Sequence, residues 1–178
     1  YITLSSAQMR QLTQYVKNNL FNKGASIYQE ELGLNIHPDD VAKLDDLFNQ
    51  RLAQSIQNAE AFLQTKNPSA PSVMFGTFNT PVPLEFASVA VDLDYNLGTT
   101  KFMAYKNFST AYANREWEKA KQECSTKQER KQRALHQSNP SESDSNRLIW
   151  KEATFNKGIR AVAKQNAARI HSGKNTVR

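Results

Sequence analysis

The residues whose chemistry stands out are the lysines and arginines near the end of the chain. Residues 147–178 contain eight Lys or Arg and a single acidic residue, Glu152. Ammonium and guanidinium groups attract phosphate without reading base sequence, and the release of condensed counterions drives such binding. A surface that contacts only solvent normally carries both positive and negative side chains, interspersed. The cluster therefore predicts contact with a polyanion, and nucleic acid is the main candidate.

We expect two groups of cations to neutralise phosphates through backbone contacts. The first group is Arg147, Lys151, Lys157, Arg160, Lys164 and Arg169, and the second is Arg130, Lys131 and Arg133. Aromatic residues occur in the same half of the chain, at Tyr105, Tyr112, Trp117 and Trp150. Aromatic rings can stack on unpaired bases, but the helical spacing of these four favours positions in the core.

The charge of the whole chain is unevenly distributed. The formal net charge is +6; residues 1–100 carry six Lys/Arg against ten Asp/Glu, whereas residues 101–178 carry seventeen against seven. Such asymmetry is typical of a basic arm. It also permits self-association, in which the acidic half of one copy meets the basic half of the next.

A second candidate for chemistry is the stretch DLDYNLGTTKFM, which begins like a calcium-binding loop with oxygen ligands at its positions 1, 3 and 5. The loop requires Gly at position 6, where Leu97 stands, and a bidentate Glu at position 12, where Met103 stands. Asp92 and Asp94 could still hold a divalent ion for group transfer. A solvated pair or a pair at a helix end is the favoured interpretation.

The remaining chemistry-bearing residues are scattered. His37, His136 and His171 are not at metal-ligand spacing, and Cys124 is the only cysteine. This excludes an internal disulfide and a multi-cysteine zinc site, and a Cys124–His nucleophile would need the fold to bring a histidine close. The six glycines are too widely separated for a phosphate-binding loop. The sequence therefore predicts no cofactor and no metal, and favours a protein that is not an enzyme.

Helical patterns dominate the first part of the chain. A first helix is expected from Ser5 or Ser6 to about residue 22, followed by a short helical piece over 25–32. The stretch from Pro38 to about residue 66 has the clearest helical pattern, because acidic residues in its first turn complement the helix dipole. Its apolar stripe is Val41, Leu44, Phe48, Leu52, Ile56, Ala59 and Leu63.

The middle of the chain is less regular. Residues 67–83 contain four prolines, yet Val73, Met74, Phe75 and Phe78 are too apolar for a free linker, so an ordered loop is expected. Residues 84–97 fit both a strand and a helix. We favour a helix, because a lone strand is unstable, and keep a small β element near 84–106 as the alternative.

The basic half is expected to contain two long helices. One runs from Thr99 or Thr100 to about residue 137, aromatic first and charged later, and the stretch SNPSESDSN ends it. The last helix is expected to begin at Ser145 or Asn146, and it is amphipathic, with Lys157, Arg160 and Lys164 on the face opposite a set of apolar residues. That apolar set is Leu148, Phe155, Ile159, Val162 and Ile170. Gly158 weakens the helix and permits a kink, and the final residues form a tail.

These elements predict a mainly α protein. An N-terminal helical section (1–66) is joined by a Pro-rich connecting segment (67–100) to an aromatic-then-charged helix and linker (101–146) and an extended basic C-terminal helix and tail (147–178). The low mean hydropathy of −0.68 and the absence of a long apolar run argue against a membrane span. No signal peptide is visible, so we expect a cytoplasmic or virion location.

The functional expectation is a non-enzymatic nucleic-acid-binding structural protein that acts in multiple copies. A viral or phage coat or nucleoprotein subunit fits the charge polarity and the polar composition. The alternative is a structural or adaptor subunit whose basic arm docks on an acidic protein, without nucleic acid. Nothing in the sequence separates RNA from DNA.

Overall fold

The computed structural model describes residues 6–20, 38–135 and 142–171. Eight helices occupy most of these ranges: α1 (Ser6–Leu20), α2 (Pro38–Gln64), α3 (Leu84–Leu97), α4 (Thr99–Phe102), α5 (Lys106–Ala113), α6 (Trp117–Glu123), α7 (Lys127–Leu135) and α8 (Glu142–His171). The mainly helical fold is confirmed. The helical piece expected at 25–32 and the tail at 172–178 lie outside the described residues.

Helix α3 is the central element. It packs against α1, α2 and α8, and every residue from Phe86 to Asp94 is buried. A helix surrounded on all sides is apolar around most of its circumference, which is why its sequence also resembles a strand. Residues 84–97 are helical, as favoured, and the β element considered near 84–106 is replaced by α3, α4 and the start of α5.

Helix α2 contributes the predicted apolar stripe from Phe48 onward to the core, and the side chains of Val41 and Leu44 lie outside the described residues. Leu52, Ile56, Ala59 and Leu63 are all fully buried. Burial of a larger aliphatic side chain, such as Leu or Ile, gives roughly 1.5–3 kcal/mol of favourable transfer free energy. Two polar residues near its end hold the following loop. The Val73 amide donates to Gln64 Oε1 at 3.1 Å.

Residues 65–83 contain no helix, and the buried carboxylate of Glu60 binds this segment to the core. Glu60 Oε1 accepts a hydrogen bond from Ser72 Oγ at 3.1 Å, and Oε2 accepts one from the Met74 amide at 3.2 Å. Burial raises the pKa of Glu60, and these two hydrogen bonds act in the opposite direction. The expectation that Phe78 packs with the other apolar residues of this loop is wrong, because its side chain is 98% exposed at the tip of the loop.

The single long helix expected from residue 99 to about 137 is also wrong. The chain forms four shorter helices there, α4 to α7, and the aromatic residues of α4, α5 and α6 converge on one core. One break is at Arg115, whose φ of 57° is left-handed. Another lies between α6 and α7, where Thr126 and Glu129 form a reciprocal capping box. The Glu129 amide donates to Thr126 Oγ1 at 3.0 Å, and Glu129 Oε2 accepts from the Thr126 amide at 3.4 Å.

Helix α8 closes the core against α3. Phe86 of α3 stacks on Trp117 with ring centroids 3.9 Å apart, and Phe155 of α8 lies 5.1 Å from Phe86. Gly158 allows this approach, since a Cβ added there would lie 2.5 Å from the Phe86 ring. Helix α8 therefore continues without a break through Gly158, and this residue lies where α8 and α3 are in close contact.

Candidate nucleic-acid interface

The C-terminal half of α8 presents a cationic stripe, defined as Lys157, Arg160 and Lys164. All three residues are exposed, whereas Phe155, Gly158 and Val162 on the opposite side of the helix are buried. The separation of faces follows from helical periodicity, because positions three, four and seven apart share one side. The predicted division of this helix into a dry face and a cationic face is confirmed for these residues.

Nothing in the described part of the chain neutralises the cationic stripe. No Asp or Glu occurs between residues 153 and 171, and none of the three cations forms an ion pair with another described residue. Like charges three or four residues apart destabilise a helix by a few tenths of a kcal/mol. An anion bound along the stripe would relieve this repulsion.

Lys151 requires a correction to the expected set of phosphate-binding residues. Its side chain is 0% exposed, and its ammonium group donates to Glu129 Oε1 at 2.9 Å and to the Cys124 carbonyl at 2.8 Å. The pair ties α8 to α7 and to the turn before it. In this fold Lys151 is a buried structural cation and offers no surface to a phosphate.

The other members of the first group occupy different positions. Arg169 is half-buried in the last turn of α8, and Arg147 lies in its second turn. Arg169 is therefore not a fully exposed neighbour of the cationic stripe, and the side chain of Arg147 lies outside the described residues. The predicted apolar face extends less far than expected, since Ile170 is 63% exposed.

The second group lies on α7, which packs against α8. Arg130 and Lys131 are exposed, and Arg133 belongs to the same helix. Arg130 Nη1 donates to the Ser125 carbonyl at 2.7 Å and to Ser125 Oγ at 3.0 Å, which fixes the guanidinium beside the turn. The two predicted groups therefore lie on two different helices.

Sequence reasoning missed a cleft between the start of α5 and α7. We call it the α5–α7 cleft; it has a volume of about 440 Å³, and Arg130 forms part of its wall. Two further cations that were not singled out, Lys106 and Lys127, also line it. The Thr126-x-x-Glu129 capping box was the available signal, since it predicts a helix start at this point and hence a break in the long helix that was expected there.

The aromatic residues divide between core and surface. Tyr112 is fully buried and Trp117 is 7% exposed, so the expectation that they belong to the core is confirmed. Trp150 is half-buried against the core. Tyr105 differs, because its partly exposed ring lines the α5–α7 cleft. Burial and the nearby Glu129 carboxylate raise the pKa of Tyr105, so its hydroxyl stays a neutral donor at physiological pH.

The acidic pair and the thiol are buried within the fold. Asp92 and Asp94 both lie in the helical core of α3 and not in a loop, and they are 2% and 3% exposed. Burial raises the pKa of Asp94 despite hydrogen bonds from Ser55 and Thr99. Burial also raises the pKa of Cys124 to about 12, against the opposing effect of Lys151. A thiol in this state is a poor nucleophile at neutral pH.

No described helix contains an apolar stretch of the length that a bilayer crossing requires. Within the same residues, no three His, Cys, Asp or Glu side chains are grouped as metal ligands. Comparisons with protein-family models, with curated proteins and with solved structures found no match for this chain.

Proposed function

We propose that this protein binds nucleic acid through backbone phosphates and acts in multiple copies as a non-enzymatic structural subunit, such as a viral or phage coat or nucleoprotein subunit. One observation carries the proposal. The cationic stripe is exposed and free of carboxylate partners among the described residues, on a helix whose opposite face is packed into the core. Burial of that face holds the helix in place, so binding a polyanion would not require ordering the helix first.

The spacing of the stripe suits a nucleic-acid backbone. Lys157 and Lys164 are seven residues apart, which is roughly 10 Å along a helix at 1.5 Å per residue. Contacts of this kind neutralise phosphates without reading bases. The proposal therefore extends to RNA and DNA alike, and places the protein in the cytoplasm or a virion.

Self-association is the second part of the proposal, and the charge distribution supports it. Helix α2 carries exposed Asp40 and Asp46, whereas α8 carries the cationic stripe, and both helices pack against α3. Acidic and basic residues on different helices of one molecule would favour a head-to-tail contact between copies, which produces rings or filaments.

The test is a salt titration of nucleic-acid binding by the wild-type chain and the variant Lys157→Gln/Arg160→Gln/Lys164→Gln. If each cation contacts one phosphate of a duplex, the slope of log Kobs against log salt should become shallower by about 2 to 3. Binding at low salt should weaken for all sequences to a similar extent. Fluorescence anisotropy with labelled oligonucleotides of two unrelated sequences measures both quantities.

The same variant supplies its own control for folding. Because the three charges repel one another, their removal should leave the free energy of unfolding unchanged or raise it by a few tenths of a kcal/mol. Binding and stability would then change in opposite directions, as measured by urea unfolding. A slope equal to that of the wild-type chain would contradict the proposal.

The alternative is an adaptor whose basic surface docks on an acidic protein. Exposed apolar residues favour this alternative. Ile149 and Ile170 are 53% and 63% exposed on the same helix as the cationic stripe, and such residues are typical of protein contacts. Purification separates the two functions. Nucleic acid that co-purifies and is released by nuclease or high salt supports the first, whereas nucleic-acid-free protein that still oligomerises supports the second.

A further inference from the structure

The α5–α7 cleft has the features of an anion-binding site. Its wall is formed by the residues that enter and begin α5, by the end of α6 and by the first turn of α7. Three cationic side chains from two helices converge on it, namely Lys106, Lys127 and Arg130, and Glu123 is the single carboxylate in the wall. The nearby Glu129 carboxylate is buried and bonded to Lys151. The cleft is therefore positively charged.

The cations of the α5–α7 cleft are available to a ligand. Neither Lys106 nor Lys127 forms an ion pair or a hydrogen bond through its side chain within the described part of the chain. Arg130 uses Nη1 for Ser125, and this bond orients the guanidinium without occupying its other N–H groups. A guanidinium has five N–H donors. The remaining ones suit the oxygens of a phosphate, which guanidinium binds through paired hydrogen bonds.

The backbone at the start of α5 adds to this charge. The residues at the first turn of α5, including Asn107 and Phe108, line the cleft. The first amides of an α-helix have no partner within the helix, and they carry partial positive charge. These amides add positive charge to that of the three side chains. Their resonances can also report whether the site is occupied.

We infer that the α5–α7 cleft binds one phosphate group of the nucleic-acid strand, with Lys106, Lys127 and Arg130 as the side chains that hold it. The site is discrete and saturable, in contrast to the open row of charges on α8. The cleft is larger than one phosphate needs, and the partly exposed ring of Tyr105 in its wall offers a surface for the adjoining sugar or base. The inference rests on the proposed function for the source of the phosphate.

The first experiment uses inorganic phosphate as the probe and the full isotope-labelled chain. Titration at constant ionic strength, with chloride as the balancing ion, should shift the amide resonances of Asn107 and Phe108 along a saturable one-site curve. The variant Lys106→Gln/Lys127→Gln should bind phosphate at least about tenfold more weakly, because hydrogen bonds to charged groups are lost. Both lysines are exposed, so this variant should fold normally.

A charge-matched control separates the site from general electrostatics. Lys66→Gln/Lys101→Gln removes two positive charges from exposed positions outside both the cleft and the cationic stripe, and it should leave the phosphate affinity of the cleft within about twofold of wild type. Equal losses in the two variants would overturn the inference, since they would mean that phosphate responds only to net charge. Unmoved Asn107 and Phe108 resonances in the wild-type chain would overturn it as well.

The second experiment identifies the source of the phosphate. A short oligonucleotide should shift the same two amides and displace inorganic phosphate, and Lys106→Gln/Lys127→Gln should abolish the displacement. If the oligonucleotide binds the chain but leaves Asn107 and Phe108 unmoved, the inference fails while the proposed function stands. If inorganic phosphate binds in the cleft and no oligonucleotide binds the chain, both the proposed function and the nucleic-acid source fail, and a small phosphate ester is the ligand.

Discussion

Replacement of Lys151 by Met is expected to lower the free energy of unfolding by about 3–5 kcal/mol. The ammonium group of Lys151 and the carboxylate of Glu129 are almost completely buried, with side chains 0% and 4% exposed. Removing the ammonium leaves a carboxylate in the interior without its counter-charge, and it also leaves the Cys124 carbonyl without that donor. The loss of a partner therefore costs far more than the pair contributes when intact.

Lys157→Met is the matched control, because it makes the same change of side chain on the same helix at an exposed position. It should change the free energy of unfolding by no more than about 0.5 kcal/mol. Urea unfolding followed by circular dichroism at pH 7 measures both variants. If Lys151→Met unfolds at the same urea concentration as Lys157→Met, the buried ion pair contributes nothing to stability.

A double variant distinguishes the loss of a counter-charge from the loss of packing. Lys151→Met/Glu129→Leu removes both charges, and it should recover much of the stability lost by Lys151→Met alone, because an apolar pair avoids the desolvation of two ions. Recovery should be incomplete, since Glu129 also belongs to the capping box at the start of α7. A double variant as unstable as the sum of the two single variants would contradict the charge-pair account.

Lys151 also illustrates what could be read from the sequence and what could not. It lies three residues after Leu148 and four before Phe155, on the apolar face of the last helix. Helical spacing alone would have placed it among buried residues, but its charge led to its assignment to a phosphate surface. Its partner could not be predicted, because Glu129 lies on another helix, and it is the turn between α6 and α7 that brings Glu129 close to Lys151.

The long helices α2 and α8 could be predicted because their apolar residues repeat regularly over many turns, as Leu52, Ile56 and Leu63 do in α2. The predicted start of α8 was wrong, because the helix begins at Glu142, inside the stretch expected as a linker. The division of residues 99–135 into four helices could not be predicted. Each of these helices is nine residues long or shorter, and their breaks depend on backbone conformations such as the left-handed one at Arg115. The α5–α7 cleft exists only because of those breaks, so it could not be predicted from the sequence either.

The order of the loop at residues 65–83 shows a similar limit. Its apolar residues predicted that it would be held against the core, but the polar groups that hold it, Glu60 and Gln64, are ordinary helix-surface residue types. A buried carboxylate that accepts two hydrogen bonds from a loop has no signature in residue spacing. Tertiary contacts, not local preference, decide the position of such a residue.

Gly158→Ala is the second change with a large expected effect, and its direction is opposite to that expected from helix propensity. Alanine is favoured over glycine in a helix interior by about 1 kcal/mol. In this fold, however, a Cβ at residue 158 would lie 2.5 Å from Cε1 and 2.6 Å from Cζ of Phe86. The Phe86 ring is itself confined by stacking on Trp117. We expect a net loss of about 1–3 kcal/mol in the free energy of unfolding, as is typical of an overpacked core.

A double-mutant cycle tests whether Phe86 is the cause. Phe86→Leu alone should destabilise the core, but in that background the added Cβ meets a smaller side chain, so Gly158→Ala should cost less or even become stabilising. Ala163→Gly, at an exposed position of the same helix, measures the propensity difference without any packing change and should cost about 1 kcal/mol. If Gly158→Ala stabilises the wild-type chain by the amount that Ala163→Gly destabilises it, then propensity alone governs residue 158. In that case α8 does not approach α3 as closely as the structure places it, and the cationic stripe loses the rigid support on which the proposed interface depends.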